Sequence, residues 1–150
     1  MNRNISILCF LGILSLSACK KEGCTNMDAI NYDKEANNDD GSCNYQAMNF
    51  AGTYNVTGTK VDLTFEDTTI QNYQFIISYV NETNVSISNL GNSSNVFNAT
   101  IKNNQLTIPS QVKNLVETWS GAGVISGSTI NLQYSESFHD DFYTEVAVKQ

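Results

Sequence analysis

Hydrophobic residues recur at every second position through most of the chain after Asn49. Phe75, Ile77 and Tyr79 share one face of an extended segment, as do Val85 with Ile87, Phe97 with Ala99 and Ile101, and Leu106 with Ile108. Ile130, Leu132 and Tyr134 repeat the spacing, and Phe142, Val146 and Val148 close the chain with it. Successive side chains of an extended backbone point to opposite faces, so this alternation predicts half-buried β-strands. Polar breaks at 81–84, 91–95, 102–104 and 126–128 are rich in Asn, Gly and Ser, which suit tight hairpins. The pattern predicts strands over 53–58, 60–66, 72–80, 83–89, 95–102, 104–109, 116–126 and 128–135, with a last one over 142–149. Only 67–72 and 111–116 offer short helical candidates. Gly121, Gly123 and Gly127 mark a bend or a close backbone approach.

Connections this short make neighbouring strands antiparallel, and so many strands must curl to bury their apolar face and protect their edges. The expected fold is all-β, a meander closing into a small barrel, with a two-sheet sandwich or a half-barrel as alternatives. Composition narrows the function. Fifteen acidic residues against eight basic ones give a formal net charge of −7, which excludes nucleic acid as a partner, since phosphate backbones are bound by clustered Lys and Arg.

The amino terminus has a different pattern. Arg3 precedes a mostly apolar run from Ile5 to Leu16, which ends before Lys20-Lys21-Glu22. A bilayer span needs about 20 apolar residues, so this run is a signal peptide rather than a permanent anchor. The following Leu16-Ser17-Ala18-Cys19 resembles the lipobox of bacterial lipoproteins. The resemblance implies removal of residues 1–18, acyl chains on Cys19, and a short tether over 19–22. It also implies attachment to the cell envelope. Lys20 after the cysteine favours the outer membrane, with the membrane itself as a partner through those chains.

With Cys9 lost and Cys19 lipidated, Cys24 and Cys43 are left to pair in an oxidising compartment. Closing a loop of about 20 residues contributes roughly 3 kcal/mol in the chain-entropy picture. The segment over 23–45 has few core-forming side chains, so it is expected to be a disulfide-stapled, turn-rich module. Gly23-Cys24-Thr25-Asn26 and Asp39-Asp40-Gly41-Ser42-Cys43 resemble a short cysteine-bounded motif of Gram-negative envelope and secreted proteins. Asp28, Asp33, Glu35, Asp39 and Asp40 make calcium the candidate cofactor there. The EF-hand register fails, however: with Gly41 at the glycine position, Ala36 and Ala47 stand where the first and last ligands belong. The alternative is a set of Asx-turns on a solvated acidic surface. No other cofactor is expected.

Gly52-Thr53-Tyr54, Ile87-Ser88-Asn89-Leu90, the stretch from Asn104 to Gln111 and the glycine-rich stretch from Ser120 to Gly127 resemble the short lipocalin-like domains of bacterial envelope lipoproteins. The resemblance covers 49–150 and implies a small barrel. Tyr54, Phe97, Trp119 and Tyr134 are the aromatics expected inside it, as core filler or as the wall of a pocket for a small apolar ligand. Catalysis finds little support. His139 is the single histidine, and it lies beside Asp140 and Asp141 in what reads as a solvated loop. The expectation is a non-catalytic binding or interaction module with no catalytic or metal residues, whose partner is a small apolar ligand or another envelope protein. The alternatives are an enzyme or enzyme inhibitor with a site in the 135–141 loop, and a structural coat or spacer lipoprotein.

Overall fold

The structure, a computed structural model, describes residues 20–150. The segment expected to be a signal peptide, and Cys19 with its expected acyl chains, lie outside the described residues. Two short strands, β1 (Glu22–Gly23) and β2 (Asn38–Asp39), pair in parallel within the amino-terminal module. Cys24 and Cys43 are joined by a disulfide that closes this module, and Cys24 is fully buried. The acidic residues shape its turns. Asn26, Asp33, Asp39 and Asp40 each accept a backbone N–H two residues on through Oδ1, at 2.9 Å. Lys21 pairs with Asp33 and with Glu35, each at 2.8 Å.

A five-residue helix, α1 (Gln46–Phe50), leads into the barrel and buries Ala47 against its core. Eight strands follow: β3 (Gly52–Asp62), β4 (Asp67–Tyr79), β5 (Asn84–Ser88), β6 (Val96–Lys102), β7 (Gln105–Lys113), β8 (Glu117–Ser126), β9 (Thr129–Glu136) and β10 (Asp141–Lys149). Each pairs antiparallel with the next, and β10 pairs with β3, so the sheet is a closed barrel. Closure answers the edge problem that the sequence poses, and neither a sandwich nor a half-barrel forms.

Several expectations about individual elements are corrected. The segments 53–58 and 60–62 form one strand, β3, that runs straight through Gly58, and 63–66 turns into β4. There the glycine serves a close approach by β10 rather than a turn: a Cβ on it would lie 2.3 Å from the carbonyl oxygen of Thr144. The helical candidate at 67–72 is the first half of β4, and most of 111–116 continues β7 and turns into β8. The helix that does form, α1, is too short to leave a 3.6-residue pattern.

The interior is apolar at one end and polar at the other. Phe75, Ile77, Val85, Ile87, Phe97, Ala99, Ile101, Leu106, Ile108, Ile130 and Leu132 fill it, all at 2% exposure or less. The outer wall carries Asn55, Thr57, Gln74, Asn98, Asn131 and Gln133. In β10 the expected face is reversed. Asp141, Tyr143, Glu145 and Ala147 point inward, while Phe142, Val146 and Val148 face out. The inward carboxylates find phenols and a lysine inside the barrel, and those partners outweigh the burial that the three apolar side chains would have gained. Among the described residues no helix is long and apolar enough to cross a membrane.

Candidate functional site

The barrel's two ends differ because its hairpins alternate between them. α1, the 80–83 and 103–104 turns and the disulfide module gather at one end. Gln46 and Asn104 hydrogen-bond there through their side chains, and Asn26 donates to the Tyr45 hydroxyl at 3.0 Å. The other end is framed by the 63–66, 114–116 and 137–140 turns and by the loop after β5. It opens into a cleft of about 330 Å³.

Aromatic rings make the floor of this mouth. Trp119, only 4% exposed, stacks on Tyr143 with centroids 5.8 Å apart and on Tyr134 at 5.9 Å. Tyr134 and Tyr143 stack on each other at 4.4 Å and 10°. Phe97 tilts against the other side of Trp119 at 5.0 Å. The loop after β5 presses onto these rings at Gly91, whose φ of +63° favours glycine and where a Cβ would sit a tight 3.1 Å from the Trp119 ring. Trp119 also donates through Nε1 to Glu117 Oε2 at 3.3 Å.

Below the floor lies a buried carboxylate. Glu145 is 1% exposed and accepts hydrogen bonds from Tyr134 at 2.9 Å and from Tyr73 at 2.7 Å. Tyr73 accepts in turn from the Gly91 N–H at 2.8 Å, which fastens the loop to the barrel. Burial pushes the Glu145 carboxyl above its ordinary range, and the two hydroxyls pull it partway back. Desolvation drives Tyr73 and Tyr134 up as well, reinforced by the neighbouring carboxylate, so both stay protonated and donate. At the closed end, burial pushes Tyr54 up to about 12, and its hydroxyl donates to the Phe50 carbonyl at 2.9 Å.

Charged groups rim the mouth. Asp141 is 3% exposed and pairs through Oδ2 with Lys60 Nζ at 2.6 Å. Its Oδ1 is buried without a hydrogen-bond partner. Glu136, the cross-strand neighbour of Asp141, is also buried. It accepts from the Phe138 and His139 backbone N–H groups and contacts His139 Nδ1 at 2.7 Å through Oε2. Glu136, His139 and Asp141 can each offer one donor atom such that all lie within 4.8 Å of one another. Ser137 accepts from the Thr118 N–H at 3.3 Å, and the His139 Nδ1 faces Glu136 rather than a hydroxyl nucleophile.

The four aromatics singled out from sequence are all buried, but they divide between two roles. Tyr54 belongs to the closed end, tilted against Phe75 at 5.3 Å, whereas Trp119 and Tyr134 floor the mouth with Phe97 behind them. Sequence reasoning missed Lys60, Tyr73, Tyr143 and Glu145, and it read Glu136 and Asp141 as part of a solvated 135–141 loop, whereas both are buried. The available signal was the second period-two register of β10, polar and aromatic, running opposite Phe142, Val146 and Val148. His139 is exposed as expected for a loop, but it is tied to Glu136. The acidic residues of the module do not gather as the mouth group does among the described residues.

Two other depressions lack such convergence. A hollow of about 510 Å³ separates Met27 and Ile30 of the module from Lys102 and Asn103 of the barrel. A groove of about 380 Å³ runs over Ala122 and Gln133 on the outer wall. Compared with protein-family models, curated proteins and solved structures, the chain matches none of them.

Proposed function

We propose that this chain is a lipid-anchored protein of the bacterial cell envelope whose lipocalin-like barrel is a non-catalytic binding module, taking a small ligand at its mouth. The observation that carries this reading is the aromatic floor of Trp119, Tyr143 and Tyr134 beside a buried carboxylate whose Oδ1 has no partner. Convergent aromatic and polar groups around one concavity are what a small-molecule site requires. The packed interior beneath Trp119 keeps the ligand at the mouth and leaves no depth for a long acyl chain. A ring or short apolar body stacks on Trp119, and a donor or cationic group meets Asp141.

Polarity of the whole chain supports the same reading. The tether at Cys19 precedes a module seated at the closed end, so acyl chains on it hold that end toward the bilayer and turn the mouth away. Two or more chains give stable attachment where one gives only marginal binding.

A screen of small aromatic and amine-bearing compounds against the full chain tests the mouth. Ligands raise the melting temperature by mass action and quench Trp119, the chain's one tryptophan. A screen in which no compound does both discards the binding reading. Intact mass of membrane-extracted protein, compared with Cys19→Ala, tests the anchor; an unmodified parent mass removes it.

A further inference from the structure

We propose that the mouth holds a divalent transition-metal ion of the zinc class on Asp141, His139 and Glu136. This rests on reading the mouth as a binding site and names the inorganic part of what it binds. The first support is geometric. Two inward carboxylates on paired strands and the imidazole of the turn between them bring three donor atoms within 4.8 Å of one another. Ligands about 2.0–2.2 Å from one ion lie roughly 3 to 4 Å apart, so the site closes by a small movement of the exposed His139 side chain. Glu136 Oε2 and His139 Nδ1 sit at 2.7 Å and part slightly as the ion takes its place between them.

An independent observation points to a cation. Asp141 is 3% exposed, Lys60 and Tyr143 both engage its Oδ2, and Oδ1 is buried with nothing bound to it. A buried carboxylate oxygen without a donor is costly, and a cation on Oδ1 removes that cost. Lys60 stays on the second oxygen, so Asp141 bridges the ammonium and the ion. Local charge agrees: Glu117, Glu136 and Asp141 line the cleft against Lys60 alone.

The donor set chooses the class of ion. One imidazole nitrogen with two carboxylate oxygens suits zinc and its neighbours, whereas calcium and magnesium take oxygen ligands, calcium six to eight of them. Three protein ligands in a cleft open to solvent leave a coordination position for water or for a ligand bound over Trp119.

His139 is the only histidine, so its imidazole C–H resonances report this site alone. The full chain, free of any histidine tag, is titrated with zinc chloride. The imidazole signal is expected to move and saturate at one equivalent, with a rise in melting temperature. His139→Gln should weaken binding by roughly tenfold or more and abolish most of that rise, read against the variant's own melting in chelator. Asp141→Asn should do the same to affinity where it folds, and His139→Gln decides the matter where it does not. An imidazole signal unmoved by excess zinc, or a zinc-induced rise that survives in His139→Gln, overturns the proposal. A compound that quenches Trp119 while zinc stays silent would discard the ion and leave the small-ligand reading standing.

Discussion

Glu145 stands directly opposite Gly58 in the β10–β3 pairing, with the glycine's missing side chain making the space that the glutamate crosses. Tyr134, its hydrogen-bond donor, stands in the same relation to Gly121 on β8. Both members of the buried pair therefore lie over inward glycines.

A methyl group at either glycine should be expensive. A Cβ on Gly58 would lie 2.3 Å from the Thr144 carbonyl oxygen, and one on Gly121 would lie 2.3 Å from Tyr134 Cβ and 2.5 Å from the Gln133 carbonyl oxygen. These are mostly backbone atoms with no rotamer to escape into. Gly58→Ala and Gly121→Ala should each lose about 1–3 kcal/mol or more in denaturant unfolding. A loss within error of zero would show that the strands stand further apart than described.

Gln111 substitutes for a stretch of missing ladder. The β6–β7 pairing covers only Thr100 to Lys102, and β7 bulges between Ile108 and Gln111. The Gln111 amide then accepts from the Asn98 N–H at 3.0 Å and donates to the Asn98 carbonyl at 2.9 Å, as a paired residue would. Gln111→Ala should cost about 1 kcal/mol and speed hydrogen exchange at Asn98. Gln111→Glu should fare no better, since a carboxylate faces the Asn98 carbonyl with no hydrogen to offer. Unchanged exchange at Asn98 in both variants would contradict this role.

The apolar half of the barrel was legible in the sequence, and the mouth was not. Phe75 with Ile77, Phe97 with Ala99 and Ile101, and Ile130 with Leu132 alternate against Gln74, Asn98 and Asn131, so each strand announces its own inner face. In β10 two alternating sets compete, and the apolar one faces out. What decides is the set of partners waiting inside, and these come from far along the chain: Tyr73 is 72 positions from Glu145, and Lys60 lies on the first barrel strand while Asp141 opens the last. No local pattern carries that information. The Cys24–Cys43 bridge was legible by elimination, and α1 was invisible because five residues make little more than one turn.

The disulfide module should unfold on its own. Its buried residues are few, Cys24 and Ala29 among them, and the Gln46–Asn104 hydrogen bonds fasten the following helix α1, not the module itself, to the barrel. With the cysteines 19 positions apart, removing the bridge withdraws roughly 3 kcal/mol from that module. In a Cys24→Ser, Cys43→Ser variant, amide protection over 21–43 should collapse while strands β3 to β10 keep theirs. Barrel protection falling in step would mean that the two units fold as one.

Removing one hydroxyl should expose how much the buried carboxylate needs its partners. Tyr134→Phe keeps the ring stack with Tyr143 and Trp119 but leaves Glu145 Oε1 without its donor. The expected loss is about 1–3 kcal/mol, the cost of an unsatisfied buried group. Tyr134→Phe combined with Glu145→Leu should cost less than the sum of the two single changes, because the hydroxyl and the carboxylate leave together and only Tyr73 loses its acceptor. If the double variant is less stable than either single one by the full sum, the hydroxyl and the carboxylate are not coupled.

Glu145 also sets a pH dependence whose direction follows from its surroundings. Burial raises its carboxyl above the ordinary value of 4.5, while Tyr73 and Tyr134, themselves shifted upward, do not ionise in the acid range. A raised value means that the native state holds this proton more tightly than the unfolded chain does. The contribution to stability is therefore complete below the unfolded value and is lost as pH rises through the folded one. Glu145→Gln removes that loss, since a neutral amide can accept from one tyrosine and donate to the other. The stability of Glu145→Gln relative to the parent should thus grow from pH 4 to pH 7. Asp141, Glu136 and Lys60 lie higher in the same barrel end and are common to both proteins, so they cancel to first order in the difference. Equal slopes for the two proteins across that range would show that Glu145 is ionised as readily inside the barrel as in water.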